Sequence, residues 1–450
     1  MANTPVFGLR GSGDWSSDER PQSWRQQMLR NYPRGSMILT ALQSKTKKEV
    51  ISDPIFHWWE KDLPTCAGAI TAGQIYTSAA LSGAPGDSSA AGTIRHIKID
   101  GTATDPLTSY VVEGSDLLLT IENDYREVVR ATVVDIDRNG TASERVTVKL
   151  LTADSGTSGG SLANVNRALV MPTTFPQMGG VPKILSYKPT SFYNYTTIKK
   201  AALGMSRTAM AIKNLRPGSN DYLEAKRETL EILGIQMEMD LIYGVRTTET
   251  DSTNNQPKQR SMGIRQFIST YGPAANLASY KYDANYSGQS WIQGGFDWLM
   301  NKAKDLALYC DLNTTWHVVG AGTKLGLAQL AERRATIQLK PTEVEYGVNV
   351  TKLTTPFGEF NLIDHPLFNK EPALQYAWIG IPRDALTYHT VSDPDYGNSD
   401  VRFLADENYG KGGATHIDGR LDLWMVEYGY EFAKSKEWFW LNDVGRACAA

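Results

Sequence analysis

The sequence predicts an α+β fold, and three observations carry that prediction. Five β-branched segments between Ile94 and Leu151 alternate with period two, and the stretch from Asp221 to Tyr243 holds the longest helical pattern in the chain. After about Val401 the sequence alternates again and is rich in aromatic residues. At 450 residues the chain can bury a substantial core without disulfides or metals. Its 46 Lys+Arg against 49 Asp+Glu leave a formal charge of −3, which argues against a nucleic-acid binder that works by a basic surplus.

From the N-terminus, a polar arm rich in Gly, Ser and Asp leads into a short amphipathic helix. Asp18 or Ser17 caps it, Pro21 sits in its first turn, and Pro33 stops it. Trp24, Met28 and Tyr32 recur every four residues, an aromatic stripe that needs a surface to lie on: the chain's own body or a neighbouring subunit. A weaker apolar pattern at Met37, Ile38, Leu39 and Leu42 precedes FHWWEKDLP at 56–64. Residues 71–93 are small and polar, an extended excursion unable to form a core alone.

The period-two segments IRHIKI, SYVV, LLLTI, EVVRATVVDI and ERVTVKLL are separated by DG, EGSD, END and DRNG, the turn chemistry of hairpins. They predict an antiparallel unit of about five strands. Gly- and Pro-rich sequence resumes from Ser155 to Pro189, so this unit is an island in an excursion running from about 60 to about 188. SFYNYTTIKKAALGMSRTAM then mixes a strand-like start with a helical end. In the long helix, Ser219 or Asn220 caps the start, Glu224 lies in the first turn and Gly244 supplies the stop. Leu223, Leu230, Leu233, Met237 and Leu241 form its apolar stripe, over roughly 34 Å at about 1.5 Å per residue.

A polar loop, RTTETDSTNNQPKQRSMG, is expected to be exposed. A helix near Phe296–Tyr309 carries Leu299, Ala303, Leu306 and Cys310 on one stripe. A strand at WHVVGAG, a helix near Thr323–Arg334 and strands at VEYGVNVTKLTT, EFNLIDH and YAWIGI follow. Leu421, Leu423 and Met425, then Trp438 and Trp440, mark long strands near the C-terminus. The 11 Trp, 21 Tyr and 12 Phe favour large buried contacts between chains.

Catalytic patterns do not hold together. Gly156-Thr-Ser158-Gly-Gly-Ser161 resembles the nucleophile loop of chymotrypsin-like proteases, but a serine hydroxyl needs a positioned base, and neither His57 nor His96 has a matching context. The six histidines, His57, His96, His317, His365, His389 and His416, fall in no zinc spacing. The carboxylate doublets Glu343/Glu345, Asp393/Asp395 and Asp406/Glu407 read as solvated loop residues. Gly320-Ala-Gly322-Thr-Lys324 echoes a phosphate-binding turn without its spacing and reads as a plain strand-to-helix connection. Cys66, Cys310 and Cys448 are odd in number and far apart, which points to a reducing cytoplasm. There is no apolar run of signal-peptide or membrane-spanning type.

With no catalytic constellation, the order of parts becomes the informative signal. The arm SWRQQMLRNYPRGSMILTALQSK, a long β-containing excursion, NYTTIKKAALGMSRTAM, the long helix ending MEMDLIYG, a mixed α/β region and aromatic terminal strands follow one another. In that order they resemble the major capsid (head) proteins of tailed double-stranded DNA phages with the Hong Kong 97 type fold. The resemblance implies an N-terminal arm over 1–55, an extended loop over 56–188 containing the β insertion at about 94–151, and a peripheral domain over 189–261 with its spine helix at about 221–243. An axial domain over 262–380 and a return to the peripheral domain over 381–450 would complete it.

It further implies a structural, non-enzymatic protein, without cofactor or metal, that self-assembles as hexamers and pentamers into an icosahedral head around the genome. Trp24, Met28 and Tyr32 would be inter-subunit contacts. Scaffolding, portal and decoration proteins would be further partners, contact with the packaged DNA would be non-specific, and no membrane would be involved. Assembly would take place in the host bacterial cytoplasm, and the short arm leaves no room for a long fused scaffold. A near-neutral chain suits a wall around packed DNA, where strong attraction would hinder packaging. The alternatives are a phage tail or decoration protein, or a β-rich carbohydrate binder.

Overall fold

The computed structural model of the chain describes residues 47–446, apart from 63–65, 71–73, 86–88, 100–106, 108–109, 122–126, 139–143, 155–161, 176, 179–183, 185, 212–220, 334–338, 346–347, 394–396, 399 and 406–418. The arm with Trp24, Met28 and Tyr32 lies outside the described residues, as do Ser158, His416 and Cys448. The chain divides into two compact units. One is Trp59–Thr190; the other combines the residues up to Trp58 with those from Ser191 onward.

Strands β1 (Lys47–Ile51) and β2 (Ile55–Glu60) come first. The Trp59–Thr190 unit then contains β3 (Ala67–Ala69), β4 (Ile75–Tyr76), β5 (Ile94–Lys98), β6 (Ser115–Thr120), β7 (Glu127–Asp137), β8 (Arg145–Leu150) and β9 (Arg167–Thr173). Those seven strands form one antiparallel sheet in the order β3-β9-β6-β7-β8-β5-β4. Because side chains alternate across a strand, Leu117 and Leu119, Val129, Ala131 and Val133, and Val146, Val148 and Leu150 share the buried face. The unit therefore has its own apolar core, closed by Leu107, Val111, Leu162 and Val165 from the connections.

Two sequence expectations change here. Tyr110–Val112 is a turn and its continuation, not a strand: Val111 is fully buried, and Arg138 donates Nη2 hydrogen bonds to the carbonyls of Leu107 and Val111 at 3.1 and 3.0 Å. Strands β3, β4 and β9 fall in stretches that read as loop or excursion, so the sheet has seven strands rather than about five. RALVMPT carries a short alternation, with Ala168 and Val170 inward, that its Gly- and Pro-rich surroundings obscure.

The larger unit continues with β10 (Thr190–Tyr195), β11 (Thr197–Ser206), α1 (Asp221–Tyr243), β12 (Thr247–Thr250), β13 (Pro257–Arg260) and α2 (Ile264–Tyr271). Next are β14 (Leu277–Ser279), α3 (Trp291–Leu306), β15 (Thr315–Val319), α4 (Ala321–Arg333), β16 (Leu339–Glu345), β17 (Val348–Thr355) and β18 (Gly358–Asp364). Last are β19 (Trp378–Pro382), β20 (Leu386–Asp393), β21 (Gly397–Asn398), β22 (Arg402–Leu404), β23 (Gly419–Phe432) and β24 (Phe439–Asn442).

These strands build a six-stranded sheet along β1-β20-β23-β11, with β21 beside β20 and β22 beside β23, and a seven-stranded sheet in the order β14-β24-β19-β15-β18-β17-β16. Two-stranded ladders join β2 to β10 and β12 to β13. Arg207–Ala211 is a short helix, but the Lys- and Ala-rich stretch before it is extended through Ser206, because β11 pairs antiparallel with β23 from Thr197↔Tyr428 to Ser206↔Gly419. Long-range pairing overrides the local propensity of Ala and Lys.

Helix α1 has the bounds its capping and periodicity predict. Gly244 ends it; a Cβ there would lie 2.4 Å from the carbonyl oxygen of Asp240 and 2.7 Å from that of Ser261. Helix α3 starts five residues before the expected Phe296, because Ser290 and Gln293 form a capping box, and it stops at Leu306, short of the expected Tyr309.

Two apolar clusters hold this unit. Leu233, Met237 and Leu241 of α1 and Phe267 of α2 pack with Phe432 and Trp438. Tyr280, Trp291 and Trp298 pack with Trp378 and Phe439. The fully buried side chains include Trp298, Trp378, Trp438 and Trp440, so a large part of the aromatic content fills the chain's own core. Gly380 permits this packing, since a Cβ there would come within 2.0 Å of the Phe439 ring.

The two halves of the α1 stripe should respond differently to truncation. Leu233→Ala removes a fully buried side chain and should cost about 2–5 kcal/mol. Leu223→Ala acts on a side chain exposed to 59% and should change subunit stability by no more than about 0.5 kcal/mol. Urea denaturation of dissociated subunits checks both; equal losses would contradict the packing described.

Candidate functional site

Among the described residues, His96, His317 and His365 and the Gly320–Lys324 turn are held by contacts within the fold. His317 is fully buried; its Nε2 meets the Leu312 carbonyl at 3.1 Å, and the indole N–H of Trp378 donates to its Nδ1 at 3.2 Å. Desolvation pushes its pKa down to about 4. His96 lies 3.1 Å from Thr147 Oγ1, and burial, then Arg145 and Arg95, lower its pKa. His57 is exposed, with its ring 5.8 Å from that of Tyr193. His365 Nε2 donates to Glu238 Oε1 at 2.6 Å while its Nδ1 accepts the Leu367 N–H at 3.2 Å, both side chains being fully buried.

The Gly320–Lys324 turn joins β15 to α4 as a plain connection. Ala321 N–H donates to Asn369 Oδ1 at 2.8 Å and Thr323 N–H to the Gln375 carbonyl at 3.1 Å, so protein acceptors take donors that a phosphate would need. A cavity of about 20 Å³ beside Leu299, Leu353, Phe360 and Phe439 is apolar and water-sized. The thiol of Cys310 is buried, which raises its pKa to about 11 and leaves it unreactive.

What the described residues bring together is a set of contacts between α1 and β23. Tyr222 Oη donates to Asp422, and burial followed by that carboxylate raises the tyrosine pKa to about 12. The Trp424 indole N–H donates to the Lys226 carbonyl at 3.1 Å, and Lys226 Nζ sits 3.4 Å from the centre of the Phe403 ring. Asp240 accepts from Tyr428 Oη at 3.0 Å and from Lys199 Nζ at 3.1 Å. Burial, with neighbouring anionic groups, holds the Tyr428 hydroxyl well above its ordinary pKa, so it remains a donor. Residues 222, 226 and 240 thus meet 422, 424 and 428 in order, and α1 runs along β23.

Beneath this helix, packing covers only part of the apolar surface. Leu233, Met237, Leu241 and Ile242 are buried, whereas Leu223 and Leu230, spaced by seven residues from each other and from Met237, are 59% and 37% exposed. Ile232 and Ile235, on another side of the helix, are 53% and 38% exposed. The apolar stripe of the helix is therefore buried only in its C-terminal half.

Strand β23 shows the same division between two faces. Asp422, Val426, Tyr428 and Tyr430 are buried, while Leu421, Leu423 and Met425 lie across from Gly204, Ala202 and Lys200 on the opposite face, where Leu421 and Ile198 are exposed. The alternation at 421–425 marks that open face, not the core. Sequence reasoning missed these apolar contacts because an exposed leucine and a buried one look alike in a periodic pattern.

Comparison with known proteins gives these surfaces a setting. The model of the SU10 major capsid protein family matches residues 22–444, and the chain belongs to that family. It is a major capsid protein, a structural component of a phage head, with an α+β fold. It resides in the capsid of the virion and assembles into a multimeric shell. No curated protein matches the chain.

Solved structures are more distantly similar. A chain of Mycobacterium phage Bobi is 7% identical over 95% of this chain and 96% of its own, with a TM-score of 0.42. One of Microbacterium phage Oxtober96 is 11% identical over 96% and 98%, also with a TM-score of 0.42. A chain of the holo-SrpI encapsulin complex from Synechococcus elongatus is 12% identical over 57% and 76%, with a TM-score of 0.34.

The buried histidine makes stability pH-dependent. His317 is neutral when folded down to about pH 4, whereas in the unfolded chain it takes a proton below its ordinary pKa of 6.5. Its contribution is complete above pH 6.5 and is lost as the pH falls from 6.5 toward 4, a loss on the order of 3 kcal/mol. Denaturation midpoints at pH 7 and pH 4.5 should fall further apart in the wild type than in His317→Gln, which does not titrate.

Proposed function

We propose that this chain forms the hexamers and pentamers of an icosahedral head that encloses a double-stranded DNA phage genome. In this reading residues 1–55 are an arm reaching between subunits through Trp24, Met28 and Tyr32. Residues 56–188 are an extended loop that carries the seven-stranded sheet, 189–261 a peripheral domain with α1 as its spine, 262–380 an axial domain, and 381–450 a return to the peripheral domain. Scaffolding, portal and decoration proteins are the further partners, and assembly takes place in the bacterial cytoplasm.

The observation that carries the reading is apolar exposure on an ordered frame. Leu223, Leu230, Ile232 and Ile235 stand exposed on a helix tied to β23 by hydrogen bonds at both ends, and Ile198 and Leu421 stand on the open sheet face. Apolar side chains left exposed on two sides of the helix and on the open sheet face offer several separate contact surfaces, and a shell requires each subunit to bury several surfaces against its neighbours. A formal charge of −3 keeps attraction to packed DNA weak.

Deletion of residues 1–35 should leave a folded subunit with wild-type circular dichroism that no longer closes into shells under the electron microscope. Interface anchors of this type typically cost 1 to about 2 kcal/mol or more on truncation. Normal particles would make the arm dispensable, and an unfolded subunit would place the stripe in its own core. A second variant tests the frame itself: Leu223→Asp with Leu230→Asp should retain the subunit's melting temperature and yet prevent closed shells.

A further inference from the structure

We propose that Glu49, His389 and Glu431 form a binding site for a divalent transition-metal ion, with Zn²⁺ as the metal their chemistry fits best, and that the ion clamps the edge strand β1 to its sheet. The three residues are far apart in sequence and come from three adjacent strands. β1 runs parallel to β20 with Glu49 opposite His389, and β20 runs antiparallel to β23 with His389 opposite Gly429, two residues before Glu431. Register therefore places all three side chains on one face of the sheet. One ring nitrogen of His389 and one oxygen from each carboxylate lie within 4.8 Å of one another.

The surroundings favour a cation. His389 is almost fully buried, with its ring 4.5 Å from that of Phe56, and Gly429 leaves the room this stacking needs. A carboxylate can only accept, so His389 Nε2 donates to Glu431 Oε2, at 2.7 Å. That leaves His389 Nδ1 buried with no hydrogen-bond partner, an imidazole nitrogen that the protein itself does not satisfy. For an ion to take Nε2 together with both carboxylates, the proton that now bridges Nε2 to Glu431 must be released or move to Nδ1, the ring nitrogen the protein leaves unpaired.

Glu49 and Glu431 keep 39% and 21% of their side-chain surface exposed, so an ion can enter from solvent. Lys47, largely exposed, pairs with Glu49 and is the cation that a metal would displace. The imidazole nitrogen is a borderline donor that suits Zn²⁺, which also takes carboxylate oxygens at about 2.0–2.2 Å, better than Mg²⁺ or Ca²⁺ with their all-oxygen preference. The two carboxylates would also match the ion's charge.

The consequence is mechanical. Among the described residues β1 pairs with one strand, β20, and it follows directly on the first 46 residues of the chain. An ion held by β1, β20 and β23 would fix that junction, and metal that binds only the folded chain raises its stability by mass action.

The experiment uses full-length, tag-free protein dialysed against Zn²⁺, with metal content and melting temperature measured before and after EDTA, and Co²⁺ as a spectroscopic probe. The expected result is about one Zn²⁺ per chain, a melting temperature raised by Zn²⁺ and lowered again by EDTA, and a visible d–d band with Co²⁺. Glu49→Gln and Glu431→Gln should each weaken Zn²⁺ binding at least tenfold while leaving the metal-free melting temperature close to that of the wild type. No stoichiometric Zn²⁺ in the wild type, or Zn²⁺ affinity unchanged in both variants, would overturn the site. An equal response to Mg²⁺ would overturn the assignment to a transition metal.

Discussion

The antiparallel pairing of β11 with β23 is the constraint on which the larger unit depends. It joins two segments about two hundred residues apart, and its formation requires everything between them to be accommodated. Helix α1 is held along this ladder by Asp422, Trp424 and Tyr428, which hydrogen-bond to Tyr222, the Lys226 carbonyl and Asp240. β20 and then β1 extend the same sheet on the other side of β23, so the first strand of the unit is positioned by one of the last.

Buried polar groups lock this arrangement. Fully buried Asn194 donates from Nδ2 to the Tyr430 carbonyl at 2.7 Å and accepts through Oδ1 from Met262 N–H at 2.8 Å, linking β10, β23 and the segment leading into α2. Glu238 and His365 tie the middle of α1 to the chain just after β18. Each group would carry a desolvation cost if its partner moved, so these contacts specify one geometry more than they add net stability. A rigid frame of this type suits a shell subunit, which must present its apolar surface in one orientation to every neighbour.

The exposed apolar residues follow from the same frame. Val426, Tyr428 and Tyr430, on the α1-facing side or further along β23, are buried, while Leu421 and Ile198 on the other face are exposed. In the proposed reading, subunit stability and assembly draw on different residues of the same two elements. The Trp59–Thr190 unit keeps a separate apolar core, which gives its sheet stability of its own.

The sequence by itself determined the α+β class, the bounds of α1, and strands β5 to β8, because helix caps, hairpin turns and side-chain periodicity are local signals within a few residues of one another. It also carried the order of parts that resembles a head protein. Only the tertiary structure decided which apolar residues are core. Leu223 and Leu233 belong to one periodic stripe, yet Leu233 is fully buried and Leu223 is exposed, although β23 contacts the helix at both ends. Likewise β9 became a strand through pairing with β6, and β11 stayed extended through pairing with β23, against its Ala and Lys content. Glu49, His389 and Glu431 share no spacing that sequence could reveal, since strand register alone brings them together. Such proximity is a property of long-range pairing, which no local pattern encodes.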